Sequence, residues 1–278
     1  MRPSVLLVVG LSAVAAVYIG LLTHRYESLS PTATNTCMGW LDSARCFAGF
    51  FIGNDRGSIR GTLHTLAIYI FFAAPALIGI HLGVPLLSDD ARNGTGRLLW
   101  TQSRRRTTIV WVKVALAAVT AAAAFGLLVP VSTWFIHATA SEGFVPLSVG
   151  FYDNTGLVPF AYAVFAVAVG AAVGALFRSA GFASFMALSV WTGVRAVVGM
   201  LRDHLMPAVT VPNSSPAAAN SVDSVIVHWA NGPKGALLVT FQPGSHYWPM
   251  QCIESAIFLV AAAGCIALTA FIVKGKDA

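Results

Sequence analysis

Six runs of about twenty residues, each apolar and carrying no more than one formal charge, govern what this chain can become; they cover residues 4–22, 63–86, 114–136, 158–177, 182–201 and 250–273. A bilayer core about 30 Å thick takes roughly twenty helical residues to cross. In hydrocarbon the backbone must satisfy its own hydrogen bonds, so each run predicts a membrane-crossing helix. The runs nearly exhaust the 278 residues, and only 10% of the chain is charged while 56% is apolar. An ordinary soluble domain is about 25% charged. The expectation is an all-α polytopic membrane protein, one domain over 1–278 with six transmembrane helices.

Orientation follows from where Lys and Arg fall. With the N-terminus inside, Arg2, Arg92, Arg97, Arg104, Arg105, Arg106, Lys113, Arg178, Lys274 and Lys276 are cytoplasmic. Arg25, Arg45, Arg56, Arg60, Arg202 and Lys234 are outside, a smaller set. Both termini are therefore expected in the cytoplasm, with outer loops at 23–62, 137–157 and 202–249 and a cytoplasmic loop at 87–113. The first run exceeds the apolar core of a secretory signal, and Leu21, Leu22, Thr23, His24 and Arg25 do not form a small-residue cleavage site, so it is expected to be retained. The net charge of +6 is then mostly topological, which leaves no basis for a nucleic-acid partner. Within the outer loops, Ser224 to Trp229 is β-prone, and Cys37 with Cys46 share one loop. In an oxidising compartment those two cysteines are expected to form a disulfide, two free thiols being the alternative.

The cytoplasmic loop is unusual in its detail. Asp89 and Asp90 follow the second run, Gly94 and Gly96 break the path, and a short turn then offers Leu98, Leu99 and Trp100 beside Arg97, Arg104, Arg105 and Arg106. The basic residues alone read as an anchor at anionic headgroups. An apolar Leu-Leu-Trp turn among them reads instead as a docking knob for another protein.

Motifs for chemistry are missing. There is no G-x-x-x-x-G-K-[ST] phosphate loop, no C-x-x-C and no H-E-x-x-H. No catalytic set, metal site or bound cofactor is expected on this chain. If ATP drives the protein, a partner binds it.

The residues from 75 to 113 carry a likeness: Ala76-Leu77-Ile78-Gly79, Gly83-Val84-Pro85-Leu86-Leu87, Gly94-Thr95-Gly96-Arg97-Leu98 and Trp100-Thr101-Gln102-Ser103. Further blocks agree with it: Gly156-Leu157-Val158-Pro159, Ala161-Tyr162-Ala163, Gly174 to Arg178, Phe241-Gln242-Pro243, Trp248-Pro249, Gln251 and Ile253-Glu254. Together they resemble ABC-2 type transporter permeases common in actinobacteria. The resemblance implies a six-helix subunit in a bacterial plasma membrane, paired with a second permease as homodimer or related heterodimer. It also implies a separate ABC ATP-binding subunit, which holds ATP and Mg and docks on Asp89 to Arg106, and export of a small molecule, peptide or lipid such as an antibiotic. By the same analogy the second and fifth runs line the central path. The chain departs from the family at Asp89-Asp90, where Arg-Glu is usual, at Arg104, and at His81-Leu82, which replaces an aromatic pair. A different reading of the whole chain is a membrane sensor or immunity protein that binds a ligand through its outer loops without transport.

A few intramembrane residues stand out. His81 is an ionisable group at membrane depth, open to a substrate role or to a hydrogen bond between helices. Arg195 lies about 8 Å below the end of the fifth run and Glu254 about 6 Å below the start of the sixth, so their depths match. They are expected to pair; each could instead snorkel, or Arg195 could lie over Trp191 one turn away. Gly170 and Gly174, four apart, predict close helix packing.

Overall fold

The structure is a computed structural model that describes residues 10, 12–14, 17, 19–21, 56–88, 106–139, 145–177, 179–215, 224–232 and 237–275. Its helices are α1 (Ser12–Leu21), α2 (Arg56–Gly83), α3 (Arg106–Thr139), α4 (Val149–Tyr152), α5 (Val158–Leu176), α6 (Ala180–Leu201) and α7 (Tyr247–Gly275). Five stretches are long and apolar enough to cross a membrane: Ile68–Ser88, Thr108–His137, Val158–Leu176, Ala180–His204 and Gly244–Gly275. The first run contributes only the shorter α1, so a sixth crossing is not established among the described residues.

The structure is mostly helical, and one small sheet departs from the all-α expectation. Strands β1 (Val209–Pro212), β2 (Val225–Asn231) and β3 (Leu237–Gln242) form an antiparallel sheet in the order β1-β3-β2. Val209 pairs with Phe241 and Trp229 with Val239, while a bulge interrupts β2 between Ile226 and His228. The sheet sits between α6 and α7, where chain composition turns from apolar to polar and β-branched.

Helix α5 is the axis of the bundle, with 15 of its 19 residues buried, whereas α6 buries only five of 22 and α7 seven of 29. Its composition explains this, since Ala and Gly leave room for neighbours on every side. Gly170 and Gly174 meet Gly83, the last residue of α2, and Val84 just past it; a methyl group placed on Gly174 would lie 2.5 Å from the Val84 carbonyl oxygen. Gly79 and Gly83 reciprocate, with Ala166 and the Val167 carbonyl in the space where their side chains would be. The two G-x-x-x-G pairs thus bring backbone onto backbone. Elsewhere the packing is aromatic, with Phe258 of α7 edge-on to Tyr162 and Phe165 at ring separations of 4.7 and 5.3 Å.

Candidate functional site: a buried charge cluster above an open groove

The chain between α4 and α5 makes an elbow that carries Asp153, Asn154 and Thr155, all buried. Irregular backbone at this depth needs partners; the Asn154 N–H bonds to the Phe151 carbonyl at 3.1 Å, and side chains supply several of the others. Gln251 of α7 supplies four: its Oε1 accepts the N–H groups of Leu157 and Val158, both at 2.9 Å, while its Nε2 donates to the carbonyls of Tyr152 at 3.0 Å and Thr155 at 3.3 Å. Gly156 turns with φ +72°, and no side chain would fit there, because Tyr247 Oη lies 2.7 Å from where its first carbon would be. That hydroxyl is itself bonded to Thr155 Oγ1 at 2.8 Å. From α3, Ser132 Oγ donates to the Asn154 carbonyl at 2.6 Å.

The elbow presents Asp153 to two arginines on α6 and just beyond it. Arg202 is the centre of the cluster: Nη2 reaches Asp153 Oδ1 at 2.5 Å and Glu254 Oε1 at 3.0 Å, and Nε reaches Glu254 Oε2 at 3.0 Å. Tyr162 has one proton for two carboxylates; it lies 2.5 Å from Glu254 Oε1 and 3.2 Å from Asp153 Oδ1. Two cations face two anions, so the buried group is neutral as a whole. Isolated charges in such a place would cost several kcal/mol each, which is why the balance matters.

Arg195 completes the cluster on different terms. Its Nη2 is 3.5 Å from Asp153 Oδ2, an ion pair longer than those of Arg202, while Nη1 donates to the Phe72 carbonyl of α2 at 2.8 Å. Pro75 supplies no N–H for the Phe71 carbonyl, so this turn of α2 is already loosened where Arg195 bonds. The guanidinium lies over three rings, Phe72 at 3.5 Å, Tyr162 at 4.2 Å and Trp191 at 5.0 Å. Trp191 is fixed by its Nε1 bond to the Tyr162 carbonyl at 3.1 Å. Outside the spanning helices, burial and then the charge of Glu254 hold the Tyr152 phenol far above its ordinary range. It stays a neutral ring beneath Arg202, 4.2 Å away.

Arg195 and Glu254 do not form the direct pair their depths suggested. Arg195 pairs with Asp153, and Glu254 with Arg202. Asp153 and Arg202 were missed because they lie just past the ends of apolar runs and read as ordinary loop charges; the available signal was an opposite charge at each loop end facing the two in-span charges. Trp191 lies in the cluster. His81 does not; it is exposed in a groove of about 620 Å³ between α1, α2 and α6. Cys37, Cys46, Asp89, Asp90, Arg97, Leu98, Leu99, Trp100, Arg104 and Arg105 lie outside the described residues, and Arg106 opens α3.

The ABC-2 membrane transporter related family matches residues 5–202, which takes in every helix of the bundle but α7. The chain belongs to this family. This ABC-2 related protein is thus a multi-pass membrane protein and a component of membrane transport, and the family implies association with an ABC ATP-binding subunit. Neither the curated proteins nor the solved structures contain a match to it. The match ends at Arg202, so Gln251 and Glu254, which complete the ABC-2 cluster, come from beyond the matched range.

Proposed function

We propose that the chain is the permease subunit of an ATP-driven exporter in the plasma membrane, with both termini cytoplasmic. It works beside a second permease and a separate ABC ATPase that holds ATP and Mg. The observation that carries this reading is the family match over residues 5–202 on a bundle with five apolar crossing helices.

In this reading the ATPase docks on Asp89 to Arg106, between α2 and α3, through Leu98, Leu99 and Trp100 ringed by Arg97, Arg104, Arg105 and Arg106. ATP-driven closure is passed to α2 and α6, which border the path. Above them the cluster of Asp153, Arg195, Arg202 and Glu254 holds the outer ends of α6 and α7 to the elbow. Closing the outer side while the inner side accepts cargo is the state these contacts favour.

The test is co-expression with an ABC ATPase encoded beside it, purification through a tag on the permease, and assay of ATP-dependent export from loaded cells. Trp100→Ala is expected to uncouple hydrolysis from export, since loss of an interface Trp commonly costs about 2 kcal/mol or more. Normal export and normal co-purification in that variant would overturn the docking assignment. Ligand binding without ATP-dependent movement would favour a sensor instead.

A further inference from the structure

The groove between α1, α2 and α6 differs from the charge cluster in every respect. Its volume of about 620 Å³ is that of a site for a drug-sized ligand. It lies within the crossing stretches of α2 and α6 and is open on the side where Ile70, Leu77 and Phe185 are more than half exposed. From Ile70 to His81 it runs along α2 for about 16 Å at the helical rise of 1.5 Å per residue. Its walls are apolar, with Ser12, His81 and Ser184 the hydrogen-bonding side chains among them. Ser12 is buried and already engaged. His81 makes no hydrogen bond or ion pair among the described residues, yet it faces the cavity at membrane depth. Among the described residues nothing replaces the partners that water would give this imidazole, and such groups normally find one.

We propose that this groove seats the acyl chain of a single-chain amphiphile whose polar head bonds to His81, and that this amphiphile is the cargo. The inference rests on the permease reading and names its substrate class. A long apolar slot with an imidazole at its end, and Ser184 the other lining side chain that makes no hydrogen bond among the described residues, matches a linear chain with one polar end. A peptide would set its N–H and C=O groups against bare hydrocarbon walls, which costs unless each is paired. Most of the wall residues belong to α2 and α6, the helices assigned to move, so the groove changes shape between the two states. A ligand bound there therefore shifts the equilibrium by its differential affinity.

The experiment places the permease and its ATPase in nanodiscs of phosphatidylglycerol and phosphatidylcholine. The probes are palmitic acid with a mid-chain diazirine and hexadecane with the same group. Photolabelling by palmitic acid is expected on α2 and α6 peptides that contain Leu77 and Leu188. Filling the groove by Ser184→Trp, or by Leu188→Trp at a more exposed position, is expected to lower it about tenfold. His81→Leu should weaken labelling by palmitic acid severalfold and leave hexadecane unchanged, while His81→Gln retains it. Addition of ATP should change the labelling severalfold in the intact complex.

Label spread evenly over lipid-facing sites such as Val260 and Phe271 of α7 would overturn the proposal. Groove labelling that ATP leaves unchanged marks a resident lipid and also overturns it. The two failures separate cleanly. If the ATPase co-purifies and hydrolyses ATP but the groove stays unlabelled, the cargo assignment alone falls; if the groove is labelled and no ATPase associates, the permease reading falls and takes the cargo assignment with it.

Discussion

Arg202 grips Glu254 with two nitrogens, Nε on one carboxylate oxygen and Nη2 on the other, each at 3.0 Å. This fork-to-fork geometry joins the end of α6 to the second turn of α7 in a place that water hardly reaches. Removing one partner leaves the other charged and buried, at a cost of about 3–5 kcal/mol. Arg202→Met is therefore expected to destabilise strongly. Arg202→Met with Glu254→Leu is expected to cost less than either alone, because Arg195 and Asp153 still balance. Thermal unfolding of the detergent-solubilised protein measures both; simple additivity would show that the four charges do not act as a unit.

Gln251 has the most demanding role of any neutral side chain in the cluster. Gln251→Leu strips partners from two N–H groups and two carbonyls of the elbow, each loss worth about 1–3 kcal/mol when buried. The variant is expected to lose at least about 3 kcal/mol. Ser255, one turn on, is the control: its hydroxyl is buried with no hydrogen-bond partner among the described residues, so Ser255→Ala should cost little. Equal effects from the two in a denaturation series would contradict the assigned hydrogen bonds.

Gly156 adopts a backbone angle that costs an L-residue about 1–2 kcal/mol, and Tyr247 Oη blocks the added carbon. Gly156→Ala is expected to disturb the elbow. Adding Tyr247→Phe removes only one of the two clashes, since Gln251 Oε1 also lies 2.8 Å from the added carbon, and it leaves the backbone strain, so recovery should be small. Limited proteolysis between α4 and α5 reads the result, with wild-type resistance in Gly156→Ala as the contrary outcome.

Gly83 and Gly174 face backbone carbonyls, which cannot swing aside as a flexible side chain would. Gly83→Ala and Gly174→Ala are each expected to force α2 from α5 and to reduce folded yield. Gly126 and Gly264 meet nothing within 4 Å. Alanine there should stabilise by up to about 1 kcal/mol through helix propensity. Size-exclusion recovery after heating distinguishes the two groups.

The helices were legible because their signal is one-dimensional: an uninterrupted apolar run needs no knowledge of its neighbours. Arg195 and Glu254 were legible for the same reason, as charges where none is expected. Their partners were not, since Asp153 and Arg202 stand among polar loop residues, and only the turn at Gly156 aims Asp153 inward. The close approach of α5 was readable from Gly170 and Gly174, but its counterpart at Gly79 and Gly83 lies almost ninety residues away in sequence. The strand around Ser224 to Trp229 was visible as β-prone; the sheet order, which places β3 in the middle, depends on long-range pairing that composition does not encode. Tyr162 and Gln251 appeared within family-like blocks, yet nothing local tells that one proton and one amide would organise the cluster.

Gln242, the last residue of β3, donates through Nε2 to the carbonyls of Asp203 and Met206 at 3.1 and 2.8 Å, while its Oε1 meets His246 Nδ1 at 2.8 Å. One amide thereby fastens the sheet to the segment that leaves α6 and to the turn that starts α7. A change of tilt in α6 cannot stay confined to the bilayer. Through Gln242 it would be passed to the middle strand, so the sheet is placed to register the tilt outside the bilayer.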